Sequence, residues 1–243
     1  MTEKFFFDDW VGKTIKLTST NPPSEWKLAA KLSDKNSQMS AERYHESPSP
    51  SAAYGSFICH GAKDPSNVAF GSEWAIHAER ARQATETVSG MTYSELCAIE
   101  LLRDNNCTAA PKIRTHEPII QDDSMLVPGG FIHYILMDKA CCVQLNEEIF
   151  WAYPRSERDR IRQAYKEAWS EWIRCGVSDG GRHISHLFWD SDAGKIIIAA
   201  SSFSSPLEPF RILKWRDSKW LSAGLLRTGS AHSCAWEEQM KDT

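Results

Sequence analysis

One run of residues constrains the fold more than any other. Ile161, Ala164, Tyr165, Ala168, Trp169, Trp172 and Ile173 recur at steps of three and four. That spacing lines them up on one face of a 3.6-residue helix, with charged residues on the other. The predicted helix runs from Ser156 to Cys175. Ser156 is placed to cap its first turn, Asp159 lies near the positive end of its dipole, and Gly176 stops it. A stripe containing three large aromatics makes one continuous apolar face that has to be buried. After it come a loop from Asp179 to Asp190 and a strand, Lys195-Ile196-Ile197-Ile198, that ends in Ala199-Ala200-Ser201.

A second strong signal is Val127-Pro128-Gly129-Gly130 leading into Phe131-Ile132-His133-Tyr134-Ile135-Leu136-Met137-Asp138. The turn launches an apolar, β-branched run that is too short for a typical helix and suits a buried strand. Upstream, residues 12–20 and 26–32 alternate as half-buried strands around Asn21-Pro22-Pro23, and Tyr54 to His60 is a further strand candidate. Segment 33–52, rich in Ser, Pro and charge, reads as an exposed loop. A helix is predicted over Ser72 to Val88. A second opens at Thr92, three residues before Glu95 (the spacing of a capping box), and runs to about Asp104. Pro111 to Ile120 reads as extended with one turn, and Phe210 to Leu226 as one or two short helices. There is no internal repeat.

A chain of 243 residues can form one large domain or two lobes sharing a cleft. Its net charge of −4, with no basic cluster among aromatics, predicts no nucleic-acid partner. The N-terminus has no apolar leader and no window is apolar enough to span a membrane, so neither secretion nor membrane insertion is expected. Seven cysteines without a CxxC pair, Cys141 and Cys142 adjacent, read as reduced thiols in a cytoplasmic protein. Ten tryptophans are an unusually large share. They either fill the core or wall an aromatic pocket for an apolar small molecule.

The order helix, loop and strand from Ser156 to Ser205 resembles the catalytic loop and metal-binding strand of fungal kinase-like proteins, relatives of the aminoglycoside and choline phosphotransferases. The Val127 to Ile132 turn and the run from Phe150-Trp151 through Pro154 to Arg162 resemble the same family, and the likeness extends from about Gly61 to Asp190. In that family the loop carries a catalytic Asp and a metal-binding Asn, and the next strand ends in an Asp that holds magnesium. Gly181, His186 and Ala199 (or Ala200) fall at those positions here. The resemblance therefore implies a scaffold kept and its phosphoryl-transfer chemistry lost.

The residues agree with that loss. Phosphoryl transfer needs a phosphate cradle, an anchored Lys, an orienting Asp and magnesium ligands. No Gly-rich phosphate motif is present. The strand expected to carry the Lys gives way after Val68-Ala69-Phe70, and Glu95, the possible partner of that Lys, is better explained as a helix cap. His183, His186 and Asp190 could hold a metal, but in a loop they read more readily as hydrogen-bonding side chains, and no metal site is assigned. Nucleophilic and redox signatures are absent.

The expected fold is α+β, a reduced kinase-like two-lobe fold. Residues 1–137 would form an N-terminal lobe with an antiparallel sheet, and 138–243 a mainly helical C-terminal lobe. The expected function is a cofactor-free cyclase of the Diels–Alder or pericyclase type, acting on an apolar polyketide or terpenoid intermediate of fungal secondary metabolism. Such an enzyme works by positioning and by polarising a carbonyl. The donors would be His133, Tyr134, His183 and His186, with Asp138, Trp189 and Phe203 lining the substrate cleft. The alternative is a non-catalytic pseudokinase that binds a partner or metabolite. The sequence leaves the oligomeric state open.

Overall fold

The computed structural model describes residues 10–37, 52–61, 64–72, 90–123, 128–139, 142–179, 183–199, 204–208 and 213–226. The chain divides into two units, one built from 1–93 and 112–139, the other from 94–111 and 140–243. The sequence placed 94–111 in the first lobe. These residues instead belong to the second unit because Ala98, Leu102, Ala109 and Ala110 are part of its hydrophobic core.

The first unit is a six-stranded antiparallel sheet with the spatial order β1-β2-β3-β4-β6-β5. Its strands are β1 (Thr14–Leu17), β2 (Ser24–Ser37), β3 (Ala52–Gly61), β4 (Asp64–Ser72), β5 (Ile113–Ile120) and β6 (Phe131–Asp138). On one face Trp26, Leu28, Phe57, Ile132, Tyr134 and Leu136 form the core. Period-two alternation explains the set: Ile132, Tyr134 and Leu136 share one face of β6, leaving His133 and Ile135 on the other. Two expectations change here. Ser33 to Ser37 are strand rather than loop, because β2 continues to pair with β3 as far as Ser37↔Ala52. The strand containing Val68 is not cut short either. It runs nine residues and pairs through Ser72 with both β3 and β6. Nothing in Asp64–Ser72 is a Lys or Arg, so the strand is present without a cationic anchor. Of the helix expected from Ser72, residues 73–89 lie outside the described ones.

Helix α1 (Gly90–Asp104) begins two residues before the predicted cap, so Thr92 and Glu95 lie inside it, and both are buried. The Thr92 hydroxyl meets the Tyr54 hydroxyl at 3.3 Å instead of closing a capping box.

The second unit takes in α1 from Ser94 onward together with further helices and strands. Helices α2 (Glu147–Ala152), α3 (Arg155–Arg174) and α4 (Ser218–Ser222) accompany two small antiparallel sheets. One sheet holds β7 (Val143–Gln144), β9 (Leu187–Asp190) and β10 (Lys195–Ile198). The other holds β8 (Val177–Asp179) and β11 (Ser204–Pro206). Helix α3 buries Ile161, Ala164, Tyr165, Ala168, Trp169 and Trp172, as their spacing requires. Burying each large side chain of this stripe is worth roughly 1.5–3 kcal/mol. Its N-cap is Pro154 with no side-chain cap, so Ser156 does not cap it. Gly176 closes the helix at φ +80°, a backbone region that a side chain would strain. Among the described residues no helix is long and apolar enough to cross a membrane.

Candidate functional site

The loop that resembles a catalytic loop is built on the core of the second unit. Ile184 is fully buried at the start of a 3₁₀ turn, Ile184–His186. His183 precedes the turn and caps it, its Nδ1 accepting from the Ser185 backbone N–H at 3.3 Å and lying 3.0 Å from the Ser185 hydroxyl. The Gln144 amide donates to the Ser185 carbonyl at 2.8 Å, and the Leu145 N–H to the Leu187 carbonyl at 2.8 Å. The loop is thereby stitched to the strand beneath it.

Two further backbone bonds fix the end of β10. Ile198 N–H donates to the Ala109 carbonyl at 2.8 Å, which also takes the Trp172 indole N–H at 3.0 Å. Ala199 N–H donates to the His186 carbonyl at 2.9 Å. His186 and Ala199, the positions matched to a metal-binding Asn and Asp, are therefore brought directly together. Gly181, Ala200 and Phe203 lie outside the described residues, and of Asp179 only the backbone is described.

Asp190 is committed to the turn after β9, accepting from Ala193 N–H at 2.9 Å. Among the described residues no three His, Cys, Asp or Glu side chains are grouped to hold a metal. Trp189 is 1% exposed, and its indole N–H donates to Glu157 Oε1 at 2.9 Å. It is a core side chain of the second unit.

The remaining candidates are in the first unit. Tyr134 is buried in the sheet core, 6.4 Å from the Trp10 ring centroid. Asp138 is half-exposed and ion-paired with Arg114, which lies over Trp26. His133 is 7% exposed, and its Nε2 stands 3.1 Å from His116 Nδ1, the two rings stacked at 16°. Burial first, and the neighbouring His116 second, push His133 down to about 4, so it is a neutral imidazole near pH 7. The six described candidates thus divide, with His133, Tyr134 and Asp138 in one unit and His183, His186 and Trp189 in the other.

Two residues of the first unit were not anticipated. His116 reaches His133 because Pro118 pairs with His133 across the β5–β6 ladder, leaving His116 two positions away on the same face. Glu117, on the opposite face, accepts from Thr18 N–H at 2.7 Å, the Thr18 hydroxyl at 2.6 Å and Ser19 N–H at 2.9 Å. Neither relationship follows from local pattern, because each partner lies elsewhere in the chain.

No protein-family model matches the sequence, and no curated protein matches it. Among solved structures, the chain is similar to the Cydia pomonella granulovirus kinase PK-1, with 12% identity and a TM-score of 0.46. The match covers 74% of this chain and 52% of that one, so the chain spans about half that protein's length.

Proposed function

We propose that this chain is a kinase-like scaffold that acts by binding a partner or metabolite and does not transfer phosphate. One observation carries the reading, the backbone bond from Ala199 N–H to the His186 carbonyl at 2.9 Å. Loop and strand end are joined at the two positions where the resemblance would put magnesium ligands. Magnesium demands hard oxygen ligands in near-octahedral geometry. Ala199 offers no side-chain ligand and His186 only an imidazole. On this reading the backbone contact is kept while the metal-binding side chains are lost, and the Lys-free strand Asp64–Ser72 fits the same loss.

A cofactor-free cyclase on the same scaffold is the second reading. What favours it is the 3₁₀ turn, which leaves His183 exposed and His186 half-buried as possible donors to a substrate carbonyl. It ranks behind because Trp189 and Tyr134 are core side chains and His133 is paired with His116.

The test is a thermal-shift and turnover measurement with ATP, with and without magnesium, beside a panel of apolar polyketides and terpenoids analysed for new products. The binding scaffold gives no magnesium-dependent turnover and no cyclised product. Release or transfer of the γ-phosphate would sink both readings, and a cyclised product would reverse their order.

A further inference from the structure

We propose that Cys107 and Cys175 form a reversible disulfide, a redox-modification site that ties the chain just after helix α1 to the end of helix α3. Both belong to the second unit and to the same hydrophobic cluster. The backbone brings them together from both sides. Asn105 donates its side-chain amide to the Cys175 carbonyl at 3.4 Å. Thr108 gives its backbone N–H to Glu171 Oε1 at 2.6 Å and its hydroxyl to Oε2 at 3.0 Å. Glu171 is one turn before Cys175, whose own N–H donates to the Glu171 carbonyl at 2.9 Å. With its neighbours held to this turn, Cys107 lies beside the end of helix α3 that carries Cys175, packed on the same hydrophobic cluster. The thiols are free, so the pair stands in its reduced state.

The two sulfurs differ in access, which assigns their roles. Cys107 is partly exposed and Cys175 is 1% exposed. The oxidant is a small disulfide such as glutathione disulfide. The Cys107 thiolate attacks one of its sulfurs and expels one glutathione thiolate, which takes up the proton released by Cys107. Cys175 then gives its proton to water or buffer and attacks the Cys107 sulfur, expelling the second glutathione. Two protein thiols are oxidised and one glutathione disulfide is reduced to two thiols. Burial, the largest influence, pushes the Cys107 thiol up to about 12, so the exchange is slow near neutral pH. The closed bond would span a loop of roughly 70 residues and restrict the unfolded chain strongly.

The experiment incubates the folded full chain with glutathione disulfide, blocks remaining thiols by alkylation, and maps peptides by mass spectrometry without reduction. The expected result is a peptide pair linked through Cys107 and Cys175, two hydrogens lighter than the reduced pair and separated by dithiothreitol. A Tm rise of order 10 °C accompanies it and is missing in Cys107→Ala and in Cys175→Ala. The mapping decides on the wild-type chain, so it does not depend on either variant folding. Recovery of Cys107 and Cys175 alkylated, while other cysteines are oxidised, would overturn the proposal. So would a lasting glutathione adduct on Cys107 that Cys175 fails to displace.

Discussion

Trp189 and Glu157 are joined by a 2.9 Å hydrogen bond from the buried indole N–H to Oε1, while Oε2 of the same carboxylate takes the Arg160 guanidinium at 2.7 Å. Arg160 also lies 5.5 Å from the Trp189 ring centroid and donates to the Ser191 carbonyl at 3.2 Å. Helix α3 and the β9–β10 hairpin are thus held by three mutually engaged side chains. Trp189→Phe keeps most of the ring area but leaves Glu157 without its indole donor. We expect it to cost about 1–3 kcal/mol in urea denaturation, whereas Trp189→Ala costs about 3–5 kcal/mol through the cavity. Equal stabilities for the two variants would show that the indole bond, not the ring volume, dominates.

His133 predicts acid sensitivity with a definite window. Its folded value of about 4 lies below the ordinary 6.5, so the unfolded chain binds the extra proton first. Stability therefore falls as pH drops from about 6.5 to about 4, by about 3 kcal/mol at most. His116, stacked against it, is the titratable neighbour that deepens the effect. His133→Phe removes the buried base and should flatten the stability profile between pH 4.5 and 7, measured by urea titration at each pH. An unchanged slope in that variant would remove His133 as its source.

Glu117 adds acid sensitivity at lower pH. Burial pushes its carboxyl up, but the hydrogen bonds from Thr18 and Ser19 together outweigh this and hold it below the ordinary carboxylate range. A depressed folded value contributes stability above the unfolded value of about 4.5, and that contribution is lost as pH falls through the folded one. Glu117→Gln places an amide among donors that wanted a carboxylate. The expected loss is about 1.5–3 kcal/mol at pH 7, shrinking toward pH 3, read from urea midpoints.

Local periodicity accounts for what the sequence disclosed, and long-range pairing for what it hid. The stripe from Ile161 to Trp172 was legible because a helix face depends only on residues three and four apart. Arg162 lies next to that stripe and reads as surface, yet it is buried, donating to the Leu225 carbonyl at 3.0 Å with Asp159 as its ion-pair partner. No local pattern announces a partner more than sixty residues away. The same holds for His116, which meets His133 only through the β5–β6 register, and for Glu117, whose donors Thr18 and Ser19 precede it by almost a hundred residues. Capping departs from its sequence spacing for a related reason. Thr92 and Glu95 have the right spacing, but the chain enters the helix at Gly90, and Thr92 meets Tyr54 of the sheet instead.

The proposed loss of metal ligands is reversible by substitution. Ala199 and His186 are adjacent through one backbone bond, so His186→Asn with Ala199→Asp puts an amide and a carboxylate on either side of it. Asp and Asn oxygens are ligands magnesium accepts, whereas Ala offers none. The double variant should show a magnesium-dependent rise in Tm in the presence of ATP, with the wild type showing none, because a ligand that binds only the folded state stabilises it by mass action. Each single variant supplies one ligand and should respond weakly. The sequence still holds no Gly-rich phosphate motif and Asp64–Ser72 no Lys or Arg, so turnover should remain absent even where binding appears. A wild-type response equal to that of the double variant would mean that this chain already holds magnesium by other residues. The reading of His186 and Ala199 as vacated ligand positions would then fail.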